Sequence, residues 1–276
     1  MSVAKRLFRK LTLLLNPNAL MTWVIPNGFR FSCLLASGTA RMKIIQGEIE
    51  TTERAFVGSV LQDGDIFLDI GANYGLFTLE AAKVVGSGGQ VIAFEPSTRE
   101  AKILHHNIQQ NNLTNVVHIG LALSDVCGTA RFGVATDGGL NSLAENKHQE
   151  QIIQSWDEVP TSTLDAWLET QPHLNTVRLI KMDVEGAECK VIQGANRLLT
   201  HQAPMLLCEV CDATLAGFQN TGKALYTTLQ SYGYQMFEFA PDGTLLPSVI
   251  RTHYDAINLV AIKHTEDIKQ FVEARR

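Results

Sequence analysis

Ile66-Phe67-Leu68-Asp69-Ile70-Gly71-Ala72-Asn73-Tyr74-Gly75 is the stretch that decides the fold of this chain. A short apolar run carries an aspartate near its end, turns through two glycines, and enters the helical pattern of Leu76 to Val85. That is a buried strand, a tight turn and a helix N-terminus aimed at whatever sits above the sheet. A second apolar run, Val91-Ile92-Ala93-Phe94, then delivers Glu95. An acid at the end of the next strand is what a parallel α/β sheet uses to hold the two hydroxyls of a ribose. The pair predicts an adenosyl cofactor.

The spacing says which one. A nicotinamide site wants G-x-G-x-x-G, whose middle glycine lets backbone approach a pyrophosphate. Here the spacing is Gly71-x-x-x-Gly75, with Asn73 between them. Asparagine tolerates left-handed backbone but fills the space the phosphates need. No G-x-x-x-x-G-K-[ST] loop occurs, which disfavours a nucleoside triphosphate. Asp69 before the first glycine would repel phosphates and suits an amino group or a bound water. S-adenosylmethionine, with a ribose, an ammonium and no phosphate, fits these residues better than NAD.

Five motifs follow in order: Asp69 to Gly75, Phe94-Glu95-Pro96, Ala122-Leu123-Ser124-Asp125, Ser162-Thr163-Leu164-Asp165, and Lys181-Met182-Asp183-Val184-Glu185-Gly186-Ala187-Glu188. Together they resemble the FkbM family of S-adenosylmethionine-dependent methyltransferases, from about Gly64 to Lys263. The resemblance implies a class I methyltransferase fold and methylation of a hydroxyl on a glycan or secondary metabolite. It also implies that the Asn141-Ser142 pair lies near the cofactor or acceptor.

Composition agrees with one catalytic domain carrying an N-terminal extension. A chain of 276 residues can bury a seven-strand sheet. Its net charge of −5 gives a nucleic-acid partner no support. Five cysteines, an odd number, do not read as a secreted disulfide framework, and Cys208-x-x-Cys211 stands without a second pair or a neighbouring histidine. Near the start, Lys5, Arg6, Arg9 and Lys10 alternate with Leu7, Phe8, Leu11, Leu14 and Leu15 at helical spacing. Such a basic amphipathic helix could touch an anionic membrane surface, cover an acceptor site, or pack on the domain or a subunit neighbour in a homodimer. Asn16-Pro17-Asn18 cuts the apolar run too short for a signal peptide, and no stretch reaches the ~20 apolar residues of a membrane span. The expected location is cytoplasmic.

The pattern predicts an extension over residues 1–50, with a hairpin turning at Pro26-Asn27-Gly28, and a methyltransferase domain over residues 51–276. After a helix at 52–61, strands and helices alternate: strands at 66–70, 90–95, 115–121, 174–182, 204–209, 234–239 and 256–262, helices at 76–85, 98–111, 187–200 and 222–232. Alternation of this kind predicts a doubly wound, mostly parallel, Rossmann-like α/β sheet covered on both faces. The interval from Ser124 to Trp167 breaks the rhythm, with one strand near 129–134 and a polar, glycine-rich stretch after it. Insertions of this kind above strand ends carry substrate loops.

The candidate residues follow from these positions. Asp69, Gly71, Ala72, Asn73, Tyr74 and Gly75 make the cofactor turn, Tyr74 shielding the methionine end. Glu95 takes the ribose, Pro96 and Ser97 border ribose and adenine, and Ala122 and Leu123 line the adenine. Asp183 closes the fourth strand beside the cofactor, Glu185 follows it, and Glu209 closes the fifth. A sugar hydroxyl is a weak acid that needs a base or a metal. One of these carboxylates could be that base, its pKa raised by burial and like charge. Alternatively Asp183 and Glu209 could share a Mg2+ ion that holds the acceptor oxygen. Against this stand plain structural roles: Lys181 neutralising a neighbour, and Glu185 and Glu188 charging the first turn of the next helix. Asn141, Ser142 and His253 are candidate acceptor contacts. Glu48, Glu50 and Glu53 precede the first sheet strand, where one of them could contact the acceptor or the methionine ammonium, though solvated helix charge explains them equally. The competing functions are N- or carboxyl-methylation of a small molecule or peptide, and a catalytically silent adenosyl-binding scaffold subunit.

Overall fold

The computed structural model describes residues 16, 18–135, 140–143, 153–172, 174 and 176–273. The basic segment Lys5 to Leu15 lies outside the described residues, as do Asp137-Gly138-Gly139 and residues 144–152. Among the described residues no helix is long and apolar enough to cross a membrane.

The chain opens with the expected hairpin, β1 (Leu20–Val24) against β2 (Arg30–Leu34), Val24 opposite Arg30. A helix the pattern did not predict, Gly38–Gln46, follows; the Ser37 hydroxyl starts it by accepting the Ala40 amide at 3.2 Å. The helix Thr51–Val60 then leads into β3 (Ile66–Ile70), β4 (Gln90–Phe94) and β5 (Val116–Ile119). A separate three-stranded sheet comes next: β6 (Ala122–Leu123), β7 (Gly128–Ala135) and β8 (Ile153–Ser162), in the order β6-β8-β7. Finally β9 (Val177–Met182), β10 (Met205–Val210), β11 (Gln235–Phe239), β12 (Leu245–Pro247) and β13 (Ile257–Ile262) complete the main sheet.

The main sheet runs β12-β11-β13-β10-β9-β3-β4-β5, parallel from β10 to β5 and antiparallel on both sides of β13. All seven expected strands are present, and β12 adds an eighth, folded back on β11 with Phe239 opposite Leu245. This is the doubly wound, mostly parallel, Rossmann-like sheet that the alternation predicts. The chain winds outward from β3 through β4 to β5, then returns to β9 on the other side of β3. The crevice above the β3–β9 junction is therefore the topological switch point, where such sheets bind ligands.

The core explains why β3 is central. All five of its residues are buried, as expected for a parallel strand covered on both faces. Leu68 and Ile70 face one layer, with Ile92, Phe94, Ile180 and Trp167. Phe67 faces the other, with Phe56, Phe77, Val91 and Leu179. A third cluster joins the N-terminal segment to the domain, packing Ile25, Phe31, Cys33 and Ile49 against Tyr74, Leu76 and Ile103. Asn107, fully buried on the helix Thr98–Gln110, pins that joint. It accepts the Ser32 amide at 2.8 Å and donates to the carbonyls of Ser32 and Tyr74 at 2.8 and 2.7 Å.

Two expectations need correction. The single helix expected over 187–200 is two, Glu188–Gln193 and Asn196–His201. The Gly194 carbonyl turns aside to accept the Asp165 amide, and the Asp165 carboxylate takes the amides of Arg197 and Leu198 at 2.7 and 3.0 Å. That carboxylate caps a new helix start. The polar run after residue 150, read as part of a loop, becomes β8, paired along β7 from Gly128–Thr161 to Ala135–Ile153.

Candidate active site

A cavity of about 440 Å³ opens over the carboxyl ends of β3, β4, β9 and β10, a volume ordinary for a small-molecule site. Gly71, Ala72, Asn73 and Tyr74 line it above β3, Glu95 and Pro96 line it on the β4 side, and Ala122 and Leu123 line it from β6. Lys181, Asp183, Glu185 and Glu209 line it on the β9 and β10 side, across β3 from Glu95, and Asn141 lines it too.

The turn is shaped by contact with β9. Gly71 has φ +79°, and a Cβ there would lie 1.9 Å from the Asp183 carbonyl oxygen, so no side chain fits. Asn73 takes left-handed backbone at φ 51° and donates its amide to Glu95 Oε2 at 2.8 Å. The Ser97 amide donates to Glu95 Oε1 at the same distance. Burial pushes the Glu95 carboxyl up to about 8 against these two hydrogen bonds. The carboxylate is held in place by backbone while lining the cavity, ready to accept hydroxyl donors.

On the β9 side, Lys181 is 7% exposed and places Nζ 3.1 Å from Asp183 Oδ2 and 5.1 Å from the centre of the Phe77 ring. Burial opposes its charge, yet the carboxylates of Asp183, Asp69 and Glu50 bind its proton more tightly than usual. Asp183, Glu185 and Glu209 each offer an oxygen within 4.8 Å of the others. The Asp183 charge, with burial, holds Glu209 up at about 9. Burial and the charges of Asp183, Glu209 and Glu188 keep Glu185 well above the usual carboxylate range. Glu185 and Glu209 thus hold a proton more tightly than a lone carboxylate, and their ionised forms are correspondingly stronger bases.

The predicted residues divide accordingly. Gly71, Ala72, Asn73, Tyr74, Glu95, Pro96, Ala122, Leu123, Asn141, Asp183, Glu185 and Glu209 all line the one cavity. Five do not. Asp69 shares the face of Phe67 beneath the helix Leu76–Val85 and accepts the Thr78 hydroxyl at 2.6 Å, 1% exposed. Gly75 begins that helix at φ 87°. Ser97 is buried, its hydroxyl turned to Glu100 and its amide to Glu95. Ser142 donates its hydroxyl to the Glu185 carbonyl at 3.0 Å, holding the loop rather than facing a ligand. His253 stands apart on the surface, its side chain 67% exposed, Nδ1 2.8 Å from Asp212 Oδ2. Glu188 is a structural cap: its Oε1 accepts the amides of Val184 and Gly186 at 3.0 and 3.2 Å.

Apart from Glu50, the N-terminal wall is what sequence reasoning missed. Phe31, Gly38, Thr39, Arg41, Met42 and Glu50 line the cavity from the segment 1–50 assigned to an extension. Of the three glutamates flagged there, Glu48 pairs with Lys43 at 2.8 Å and Glu53 accepts from Asn258 at 3.1 Å. Only Glu50 faces the cavity, and burial pushes its carboxyl up to about 7.

Comparison with known proteins gives four findings. The Methyltransferase FkbM domain matches residues 69–236, more than half of the chain. The chain is 27% identical over 195 residues to Methyltransferase 1 of Beauveria bassiana (strain ARSEF 2860), covering 65% of this chain and 76% of that protein. It is 24% identical over 250 residues to the AMB antimetabolite synthetase AmbE of Pseudomonas aeruginosa, covering 77% of this chain but only 11% of the synthetase. Among solved structures, the methyltransferase FkbM from Methylobacillus flagellatus KT is 15% identical at a TM-score of 0.46, over 76% of this chain and 51% of that one.

Proposed function

Because the chain belongs to the Methyltransferase FkbM domain family, we propose that it methylates a hydroxyl of a glycan or secondary metabolite, with S-adenosylmethionine as donor. One observation carries the reading: a single cavity has Glu95 on the β4 side of β3 and the Asp183, Glu185 and Glu209 trio on the β9 and β10 side. Glu95 accepts the two ribose hydroxyls, and the adenine lies along Ala122 and Leu123. A donor held in this way would present its methyl group to an acceptor bound at the trio.

The acceptor oxygen attacks the methyl carbon in line with the sulfur. A C–O bond forms, the C–S bond breaks with its electron pair on sulfur, and S-adenosylhomocysteine leaves. The acceptor proton passes to Glu209 in its ionised form, a stronger base than a free glutamate because Asp183 and burial raise its proton affinity. Positioning supplies much of the rate, since the carbon is already activated. The resemblance of a segment to part of an antimetabolite synthetase supports a small-molecule acceptor.

A second reading rests on the mutual approach of the three carboxylates within 4.8 Å, a spread in which they could hold a hard cation such as Mg2+. Lys181 already supplies a positive charge 3.1 Å from Asp183, which favours the base reading. Magnesium chloride titrated into the S-adenosylhomocysteine complex separates them: binding abolished by Asp183→Asn replaces the base with a metal site.

Titration calorimetry tests the donor directly. S-Adenosylhomocysteine binds the wild type, Glu95→Ala abolishes binding, and NAD gives no heat. A folded protein that binds NAD, or no adenosyl ligand, refutes the proposal. For the acceptor, label from methyl-labelled donor enters a polyol-rich extract in a form stable to mild alkali. Release as methanol identifies a carboxyl ester instead, and an amine-linked label identifies N-methylation. No transfer to any class, with donor binding intact, favours a silent scaffold.

A further inference from the structure

Glu50 has three properties that its position alone does not require. It precedes the helix Thr51–Val60, where an acidic side chain ordinarily caps the first amides, yet it makes no side-chain cap. Its backbone is left-handed at φ 47° and ψ 42°, a conformation uncommon for a residue with a side chain. Its carboxylate lines the cavity and, among the described residues, accepts no hydrogen bond, while Glu48 and Glu53 beside it are both engaged. Of the six non-glycine residues with positive φ among the described residues, three line this cavity: Glu50, Asn73 and Glu185.

Opposite stands Lys181. Its ammonium has three protons, and the structure gives one of them to Asp183. The residue lines the cavity from the end of β9, its Nζ 5.1 Å from the centre of the Phe77 ring. The crevice runs from Glu95 on β4 across the β3 turn to β9, so a nucleoside anchored at Glu95 sends its 5′ substituent toward Lys181. The wall on that side is the N-terminal segment, which presents Glu50.

We propose that Glu50 and Lys181 clamp the zwitterionic amino-acid end of the donor, Glu50 taking the α-ammonium and Lys181 the α-carboxylate. The proposal rests on S-adenosylmethionine being the donor. It assigns the N-terminal segment a direct part in donor binding, and it explains why a glutamate that caps nothing is held in a strained backbone.

Two probes that differ only in this end test it. S-Adenosylhomocysteine carries the amino-acid end; 5′-methylthioadenosine keeps the adenine, ribose and thioether and lacks it. In Glu50→Gln, the dissociation constant for S-adenosylhomocysteine rises roughly tenfold or more, as expected for a lost charge-assisted hydrogen bond. That for 5′-methylthioadenosine moves by less than about twofold. Lys181→Met shows the same split, and if burial of that lysine makes the variant unfold, wild-type protein with decarboxylated S-adenosylmethionine reads the same contact. Equal weakening of both probes in Glu50→Gln marks a merely structural role and overturns the clamp, as does no weakening of either. Wild-type protein that binds neither probe overturns the donor assignment and the clamp with it.

Discussion

At the scale of single residues, the turn between β3 and the helix Leu76–Val85 contains two glycines that fail differently when replaced. A Cβ at Gly71 meets the Asp183 carbonyl oxygen at 1.9 Å, a backbone atom. A Cβ at Gly75 meets Leu104 Cδ1 at 2.4 Å, the end of a side chain. Both positions have positive φ, so either alanine carries about 1–2 kcal/mol of conformational cost. The collision adds about 1–3 kcal/mol. Urea unfolding is expected to show that Leu104→Val recovers part of the loss in Gly75→Ala, a favourable coupling between neighbours. No substitution at Asp183 rescues Gly71→Ala, because every residue there keeps the same carbonyl. The acids at strand ends were legible in sequence for a simple reason: Glu95, Asp183 and Glu209 each close an apolar run, and the end of a parallel strand faces the crevice. Glu50 was ambiguous, since nothing local distinguishes a cavity-facing glutamate from Glu48 and Glu53. His253 was misplaced because its position before β13 does not say that Asp212 will hold it at the surface.

At the scale of elements, the alternation of strands and helices placed the main sheet nearly residue by residue, from the hydrophobic period alone. The misses share a cause. The strand β8, Ile153–Ser162, reads IQSWDEVPTS, with two acids and a proline; its pairing with β7 rather than its composition makes it a strand. The helix Gly38–Gln46 buries only Ala40 and so carries a weak periodic signal, although Ser37 was a readable start. Asn107 belongs to the same category of non-local information. Its side chain substitutes for a neighbouring strand along β2 and at once holds the Tyr74 carbonyl. Asn107→Ala leaves buried amide and carbonyl groups unpaired, at a cost of about 2–4 kcal/mol. Thermal unfolding is expected to fall by roughly 5–15 °C. S-Adenosylhomocysteine affinity should fall with it, because the cofactor turn loses its support from the N-terminal segment. A variant with lowered thermal stability and unchanged affinity would separate the hairpin from the site.

At the scale of the whole molecule, the site concentrates carboxylates whose proton affinity the fold has raised. Glu50 at about 7, Glu95 at about 8 and Glu209 at about 9 all lie above the 4.5 of a free glutamate. Groups with raised folded pKa values favour the native state fully below their unfolded value and lose that contribution as pH rises through the folded one. The ligand-free protein is therefore expected to melt at progressively lower temperature between about pH 6 and about pH 9. A scan by differential calorimetry checks this, and a melting temperature that rises steadily over that window would contradict the electrostatics described for the cavity. The strand order has a consequence of its own for biosynthesis. β3 lies between β4 and β9, so a chain emerging from the ribosome can pair β3, β4 and β5 well before β9 exists. For several seconds at ordinary elongation rates of about 5–20 residues per second, the nascent half-sheet carries an open edge on β3, all five residues of which the finished fold buries. That edge is the place where a chaperone would catch the growing chain, or where two neighbours on one polysome would join.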